Sequence, residues 1–419
     1  MTPPPGTRRR PRAHDGRSGS EIAIFMATEE LLAEVPLQDL TVAQIIARAE
    51  LSRASFYHYF ASKFDVVAAL IAGLADDAKQ VTEPGRALRA SMHRIVESWS
   101  DHRAVTCAAV EHLYTEPQIS SAWFAVRDKF VAALAAQIER ERAGRAAHAG
   151  APAETVAAML VCGLERTFYM SSRGLDPRIP SPADVAAAID QLAVAAVRGT
   201  VAHPPGGSPT AAPNLPDAPN LPDTPELTPE SAAPDTAGTI HAAIGELLRT
   251  TTLEELSVAQ IAAAANCSRA TFYFYFAGKQ DAFAALFTKI AEPIVAAFTG
   301  AVLAGPDASA GLHEVLPRWL ALDGVPVAVV RNAVHEWPRR PELRRVYLEA
   351  AARIVGALES AIAQGHGTGP VGPAELAASL WWTVENTFAG SLAAERHLAD
   401  AEAVARLLGD LLVATVFGT

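Results

Sequence analysis

Residues 40–63 read LTVAQIIARAELSRASFYHYFASK, and residues 256–279 read LSVAQIAAAANCSRATFYFYFAGK. At a constant offset of 216, sixteen of the twenty-four positions are identical. The same offset carries Ile24, Leu31, Leu32 and Leu37 onto Ile240, Leu247, Leu248 and Leu253, so the register runs upstream through a preceding helix. Farther along, Glu165-Arg166-Thr167-Phe168 faces Glu385-Asn386-Thr387-Phe388 and Pro117 faces Pro341, the offset drifting as loop insertions would make it. A repeat of this length duplicates a domain, because solenoid units run at ~20–50 residues.

Within the repeat, Val42 to Ala49 places Val42, Ile45, Ile46 and Ala49 at helical spacing behind Thr41 as N-cap. Glu50-Leu51-Ser52 reads as a turn, and Ser52 can cap a second helix over Arg53 to Tyr59. There Ala54 is small enough for a close crossing, and Phe56, Tyr59 and Phe60 can pack inward. Arg53, Ser55, Tyr57 and His58 stay on or near the exposed side. That is the layout of a helix-turn-helix, whose second helix enters the major groove while the first crosses the backbone. Hydroxyls and guanidinium groups suit phosphates and base edges. The expected DNA-contacting set is therefore Thr41, Ser52, Arg53, Ser55, Tyr57, His58, Tyr59 and Lys63. Its counterparts are Ser257, Ser268, Arg269, Thr271, Tyr273, Phe274, Tyr275 and Lys279. Lys63 and Lys279 follow the second helix, with Ser62 or Gly278 as cap, where a Lys beside free backbone N–H groups makes a phosphate site.

At 419 residues the chain exceeds one hydrophobic core, which stops growing at ~250–300 residues. Half the residues are hydrophobic, Ala dominates many segments and strand-like alternation is scarce, which predicts an all-α chain. Between about Val201 and Ala237 the composition turns to Pro, Asp, Thr, Asn and Gly, with the hexapeptide Ala212–Asp217 repeated as Ala218–Asp223. Such a tract cannot bury a core. The expected organisation is an Arg-rich disordered arm over 1–17, a helix-turn-helix domain over 18–78, a helical effector domain over 79–200 and a disordered linker over 201–236. A second helix-turn-helix domain over 237–294 and a second effector domain over 295–419 complete it.

A net charge of −11 and a pI near 5.6 exclude a diffuse basic surface, so any DNA contact must be local. Arg8, Arg9, Arg10, Arg12 and Arg17, opposed only by Asp15, form a DNA-tracking arm or a solubilising tail. Cys107, Cys162 and Cys267 match no zinc or redox spacing, and neither metal nor cofactor is expected. The longest apolar run, Val156 to Leu164, is too short to span a bilayer, and nothing after the arginines resembles a signal peptide. A soluble, cytoplasmic protein is expected. Catalysis has little support: Glu111 with His112 and His335 with Glu336 are adjacent, so each pair points to different sides of a helix, and no zinc, phosphate-loop or nucleophile-elbow motif is present.

The pattern Ala-Gln-Ile, a short turn, then Ser-Arg-Ala-Ser/Thr-Phe-Tyr-x-Tyr-Phe and Lys resembles the TetR family of transcriptional regulators, in both halves. The resemblance covers about 60 residues of each half. It implies a DNA-binding domain followed by a helical ligand domain, and a dimer that sets two recognition helices one DNA turn apart. The segments around Glu165 and Glu385 resemble the ligand-domain helix of the ethionamide-resistance-repressor subgroup. There an Asn before the Glu helps hold ligand; Leu164 and Val384 stand in its place here, which favours a mainly apolar ligand.

All the tryptophans fall in the effector regions, and collectively they can line an apolar pocket. The expected ligand set is Trp99, Trp123, Phe168, Trp319, Trp337, Trp381, Asn386 and Phe388, with Trp382 in the same run; each alone is also an ordinary core residue. The functional expectation is a ligand-responsive repressor of an operator, working as an intramolecular pseudo-dimer, with a homodimer still open. The rival is a sensor or interaction protein in which a helix-turn-helix copy no longer binds DNA. Its motive is the second copy, preceded by Pro, Asp and Glu, with Phe274 for His58 and Cys267 in the turn.

Overall fold

Ser18 Oγ accepts the Glu21 backbone N–H at 3.1 Å and starts α1, Gly19–Glu34. The computed structural model describes residues 18–74, 87–143, 151–179, 181–198, 235–305, 308–364 and 370–417. The Arg-rich segment 1–17 and all but two residues of the expected linker 201–236 lie outside them. Eighteen helices, and no strand, occur among the described residues.

In the first copy α1 is followed by α2 (Val42–Arg48), α3 (Arg53–Tyr59), α4 (Lys63–Gly73), α5 (Leu88–Asp101), α6 (Arg103–His112), α7 (Pro117–Ala143), α8 (Ala153–Ser172) and α9 (Pro182–Arg198). The second copy runs α10 (Thr236–Leu248), α11 (Val258–Ala264), α12 (Arg269–Tyr275), α13 (Lys279–Val302), α14 (Ala308–Leu320), α15 (Gly324–Glu336), α16 (Pro341–Gln364), α17 (Pro373–Leu392) and α18 (Ala401–Phe417).

The chain divides into two compact units, and the division does not follow the repeat. One holds the segment up to Arg86 with His93–Ala133; the other holds Ala87–Met92 with Leu134–Thr419. Within the first unit α1 packs on α2, α3, α4 and α6, burying Ile24, Phe25, Leu31 and Leu32.

Within the second unit, α8 and α9 of the first copy share a core with the second copy. α8 lies along α17, and α9 touches α8, α17 and α18. Every residue from Val156 to Ser171 and from Leu376 to Thr387 is buried. A helix buried on all sides has to be wrapped on all sides: α8 is covered by α9 and α17, and α17 by α8, α9, α16 and α18, so helices of both copies close one core. α13 is long and apolar enough to cross a membrane by length and composition, yet it packs on α10, α14, α15 and α16 with Phe283, Phe287, Val295 and Phe298 buried.

Candidate nucleic-acid interface and effector cavity

Both helix-turn-helix copies are built from the same local bonds. Thr41 and Gln44 form a capping box: the Gln44 N–H donates to Thr41 Oγ1 at 3.3 Å, and the Thr41 N–H donates to Gln44 Oε1 at 2.8 Å. Ser257 and Gln260 repeat it. α2 then ends at Glu50 with φ 53°, where the Leu51 N–H reaches Ile46 O and the Glu50 N–H reaches Ala47 O, the paired bonds of a Schellman stop. Asn266, φ 49°, does the same in the second copy. Ser52 Oγ accepts the Ser55 N–H at 3.0 Å and opens α3; Ser268 does so for α12 through Thr271. The hydroxyls of Thr41, Ser52, Ser257 and Ser268 are thus engaged in fixing the start of each helix.

On α3 Phe56 is fully buried and Phe60 packs on Phe25, ring centroids 5.5 Å apart. Tyr59 is a correction to the sequence reading: it is exposed, because its position on a seven-residue helix turns away from α1, and it joins Tyr57 and His58 on the open face. Ala54 likewise lies exposed and not at a helix crossing, while Ser55 is half-buried. Arg53 is also exposed, its guanidinium over the Tyr57 ring at 5.5 Å. On α12 the same face carries Arg269, Tyr273, Phe274 and Tyr275, with Thr271 half-buried. Phe274 is 82% exposed, more than any other large hydrophobic side chain described.

Lys63 and Lys279 are the second correction. Lys63 Nζ donates to the carbonyls of Leu37, Gln38 and Leu40 at 2.7, 3.0 and 2.8 Å, and Lys279 Nζ donates to those of Leu253, Glu254 and Leu256 at 2.6–2.8 Å. An ammonium has three donors. All three tie α4, or α13, to the turn before the helix-turn-helix, which leaves none for a phosphate. Burial lowers the pKa of both lysines, with nearby Glu116 and Asp39 opposing this for Lys63.

In the second unit, α13 to α17 line a cavity that is open on one side. Trp319, Trp381 and Phe388 line it, with Phe287, Tyr347 and Glu385. The other expected ligand residues sit elsewhere. Trp337 is fully buried behind the cavity wall, stacked on Tyr347 at 5.1 Å. Asn386 faces the first copy, donating to Glu165 Oε1 at 3.1 Å and to Cys162 O at 3.0 Å. Phe168 is fully buried on α8, away from this lining. In the first unit Trp99 and Trp123 are fully buried and pack on each other, centroids 5.8 Å apart, with Phe130 against Trp99.

The lining is apolar apart from one cluster. Glu385 Oε1 accepts the Tyr347 O–H at 2.7 Å and the Trp337 indole N–H at 3.4 Å, and Glu385 Oε2 pairs with Arg166 Nε at 2.9 Å. Burial, and the carboxylate beside it, raise the Tyr347 pKa well above its ordinary value, so the phenol stays protonated and donates. The indole N–H groups of Trp319 and Trp381 have no acceptor among the described residues.

Two segments, 24–70 and 240–286, match the model of the bacterial regulatory proteins of the tetR family, and 88–197 match the C-terminal domain of the transcriptional regulator EthR. The HTH-type transcriptional regulator EthR of Mycobacterium tuberculosis (strain H37Rv) is 32% identical over 170 residues, 38% of this chain and 79% of the relative. EthR of Mycolicibacterium smegmatis is 29% identical over 190 residues, 43% of this chain and 87% of the relative. The chain belongs to the TetR family. It is a DNA-binding transcriptional regulator of the EthR subgroup, with two TetR-type helix-turn-helix units in one chain.

The TetR motif placed the recognition helices but not the polar residues of the cavity. Val384, at the place where the subgroup's Asn was expected, does line it, and the polar group comes from the next residue, Glu385. Its signal was present as a lone carboxylate inside the otherwise uncharged run Leu380 to Phe388. Tyr347 carried none, since a Tyr at helical spacing reads as core.

Proposed function

We propose that the chain is a ligand-responsive repressor that acts as an intramolecular pseudo-dimer, both helix-turn-helix units engaging one operator in the cytoplasm. The observation that carries this reading is the α8–α17 packing, which joins the last helices of one copy to those of the other inside a single chain. Support for two working units comes from their equivalence. The second copy keeps the capping box, the left-handed turn, the lysine lock and the exposed tyrosines, and these speak against the rival reading of a copy that has lost DNA.

The effector is an apolar small molecule, taken up by the cavity of α13 to α17 among Trp319, Trp381 and Phe388. Such coupling is typically ~1–3 kcal/mol and requires the ligand to favour one spacing of the recognition helices. Gel-shift titration on DNA upstream of the protein's own gene tests this. One saturable complex, released by apolar compounds and insensitive to them once Ala351→Trp fills the cavity, is expected; release that survives the filling would place the effector elsewhere.

A further inference from the structure

Positions 163, 165, 166 and 176 of the first copy correspond, at an offset of 220, to 383, 385, 386 and 396 of the second. Where α8 crosses α17, equivalent positions meet, and they carry different residues. Gly163 lies against Thr383 so closely that a Cβ on the glycine would stand 2.4 Å from Thr383 Oγ1. Arg166 Nη2 donates to Asn386 Oδ1 at 3.2 Å. The flanking contacts come as a pseudo-symmetric pair, Arg166 to Glu385 at 2.9 Å and Asn386 to Glu165 at 3.1 Å. Asp176 Oδ2 accepts the Trp382 indole N–H at 2.9 Å.

We propose that this seam is a recognition surface for unlike halves: a first half is built to receive a second half, and neither receives its own kind. Two second halves would set Thr383 against Thr383, where the space is that of a glycine. They would also bury two Glu385 carboxylates with no guanidinium between them, and offer Trp382 an Arg396 in place of Asp176. Indole and guanidinium are both donors only. Two first halves would put Gly163 against Gly163, leaving a void, and Arg166 against Arg166, bringing two buried guanidinium groups together where one now meets an amide oxygen. They would also lack the Trp337 ring, over which Arg166 now lies at 5.1 Å. All four residues of the Glu165, Arg166, Glu385 and Asn386 cluster are at most 3% exposed, so water cannot make good the missing partners. Bump matched to hole and charge matched to acceptor are the two means by which an interface rejects a wrong partner.

The inference rests on the pairing of halves proposed above, and the full chain can imitate each forbidden pairing internally. Gly163→Thr with Arg166→Asn gives the first half the second half's residues; Thr383→Gly with Asn386→Arg does the reverse. Exchanging all four restores one residue of each kind at each place. Each two-site variant is expected to lower the thermal midpoint of the second unit by more than about 10 °C. The four-site exchange, although it carries the most substitutions, is expected to recover more than half of that loss. A two-site variant as stable as the native chain, or an exchange no more stable than the two-site variants, overturns the proposal. Sedimentation mass separates this from failure of the intramolecular reading. A native mass of twice 44.2 kDa with the recovery intact would mean unlike halves pairing between chains, whereas a mass of 44.2 kDa without recovery would refute the seam alone.

Discussion

Lys63 shows where reading residues in sequence stops. Its place after the aromatic helix suggested a phosphate ligand, but the carbonyls that occupy its ammonium belong to a turn 23 to 26 residues upstream. Nothing in a linear motif marks that turn as an acceptor cluster. Lys63→Ala is accordingly expected to destabilise the first helix-turn-helix by about 2 kcal/mol, the order of a few charged hydrogen bonds partly replaced by water, and to leave the salt dependence of DNA binding unchanged. A variant of native stability whose salt slope falls by about one unit would restore the phosphate role. Glu50 makes a second residue-scale case. A left-handed backbone suits Asn better than Glu, and the second copy already has Asn266 there. Glu50→Asn is expected to raise stability by a few tenths of a kcal/mol to ~1 kcal/mol, read as a higher urea midpoint at unchanged slope; a lower midpoint would show that the carboxylate has another role.

At the scale of elements, the recurring apolar positions made α1 and α10 legible as equivalent helices, yet the same alignment sets His241 against Phe25 without saying what that does. In the structure both pack on the last aromatic of the recognition helix, Phe25 on Phe60 and His241 on Phe276 at 5.1 Å. Neither ring nitrogen of His241 has a hydrogen-bond partner among the described residues. Burial above all, with Lys289 adding to it and Asp235 opposing, pushes its pKa down to about 4. The unfolded value is about 6.5, so the unfolded state binds the proton more tightly. The contribution to stability is therefore complete above about pH 6.5 and is lost as pH falls through about 4, at ~1.4 kcal/mol per pH unit in between. Chemical denaturation of the second helix-turn-helix across that window is expected to show this slope, and His241→Phe to flatten it. An unchanged slope in the variant would assign the acid sensitivity to other groups.

For the molecule as a whole, duplication, helical class and the two recognition helices could be read from the repeat, because those signals are local and occur twice. The division into units could not. It depends on which faces of α8, α9, α17 and α18 meet, and a helix with apolar residues on every side does not announce its partner. The same holds for the cavity, which gathers residues from five helices and takes only three of the eight expected ligand residues. Because the two recognition helices differ, with exposed His58 against exposed Phe274, a chain acting through both copies reads an unsymmetrical site. His can donate to a base edge, whereas Phe can only stack or touch a thymine methyl. Selection from randomised DNA is expected to return an imperfect palindrome with half-sites about one helical turn apart, made more symmetric by Phe274→His. A perfectly symmetric consensus from the native chain would mean that identical copies, from two chains, face the two half-sites.

The central claim is that one chain supplies both halves of the DNA-binding unit, and sedimentation equilibrium at micromolar concentration, with and without the selected operator, tests it most directly. The expected result is a free protein of 44.2 kDa and a complex holding one such chain per operator; a free mass of twice that, or two chains on each operator, would contradict it.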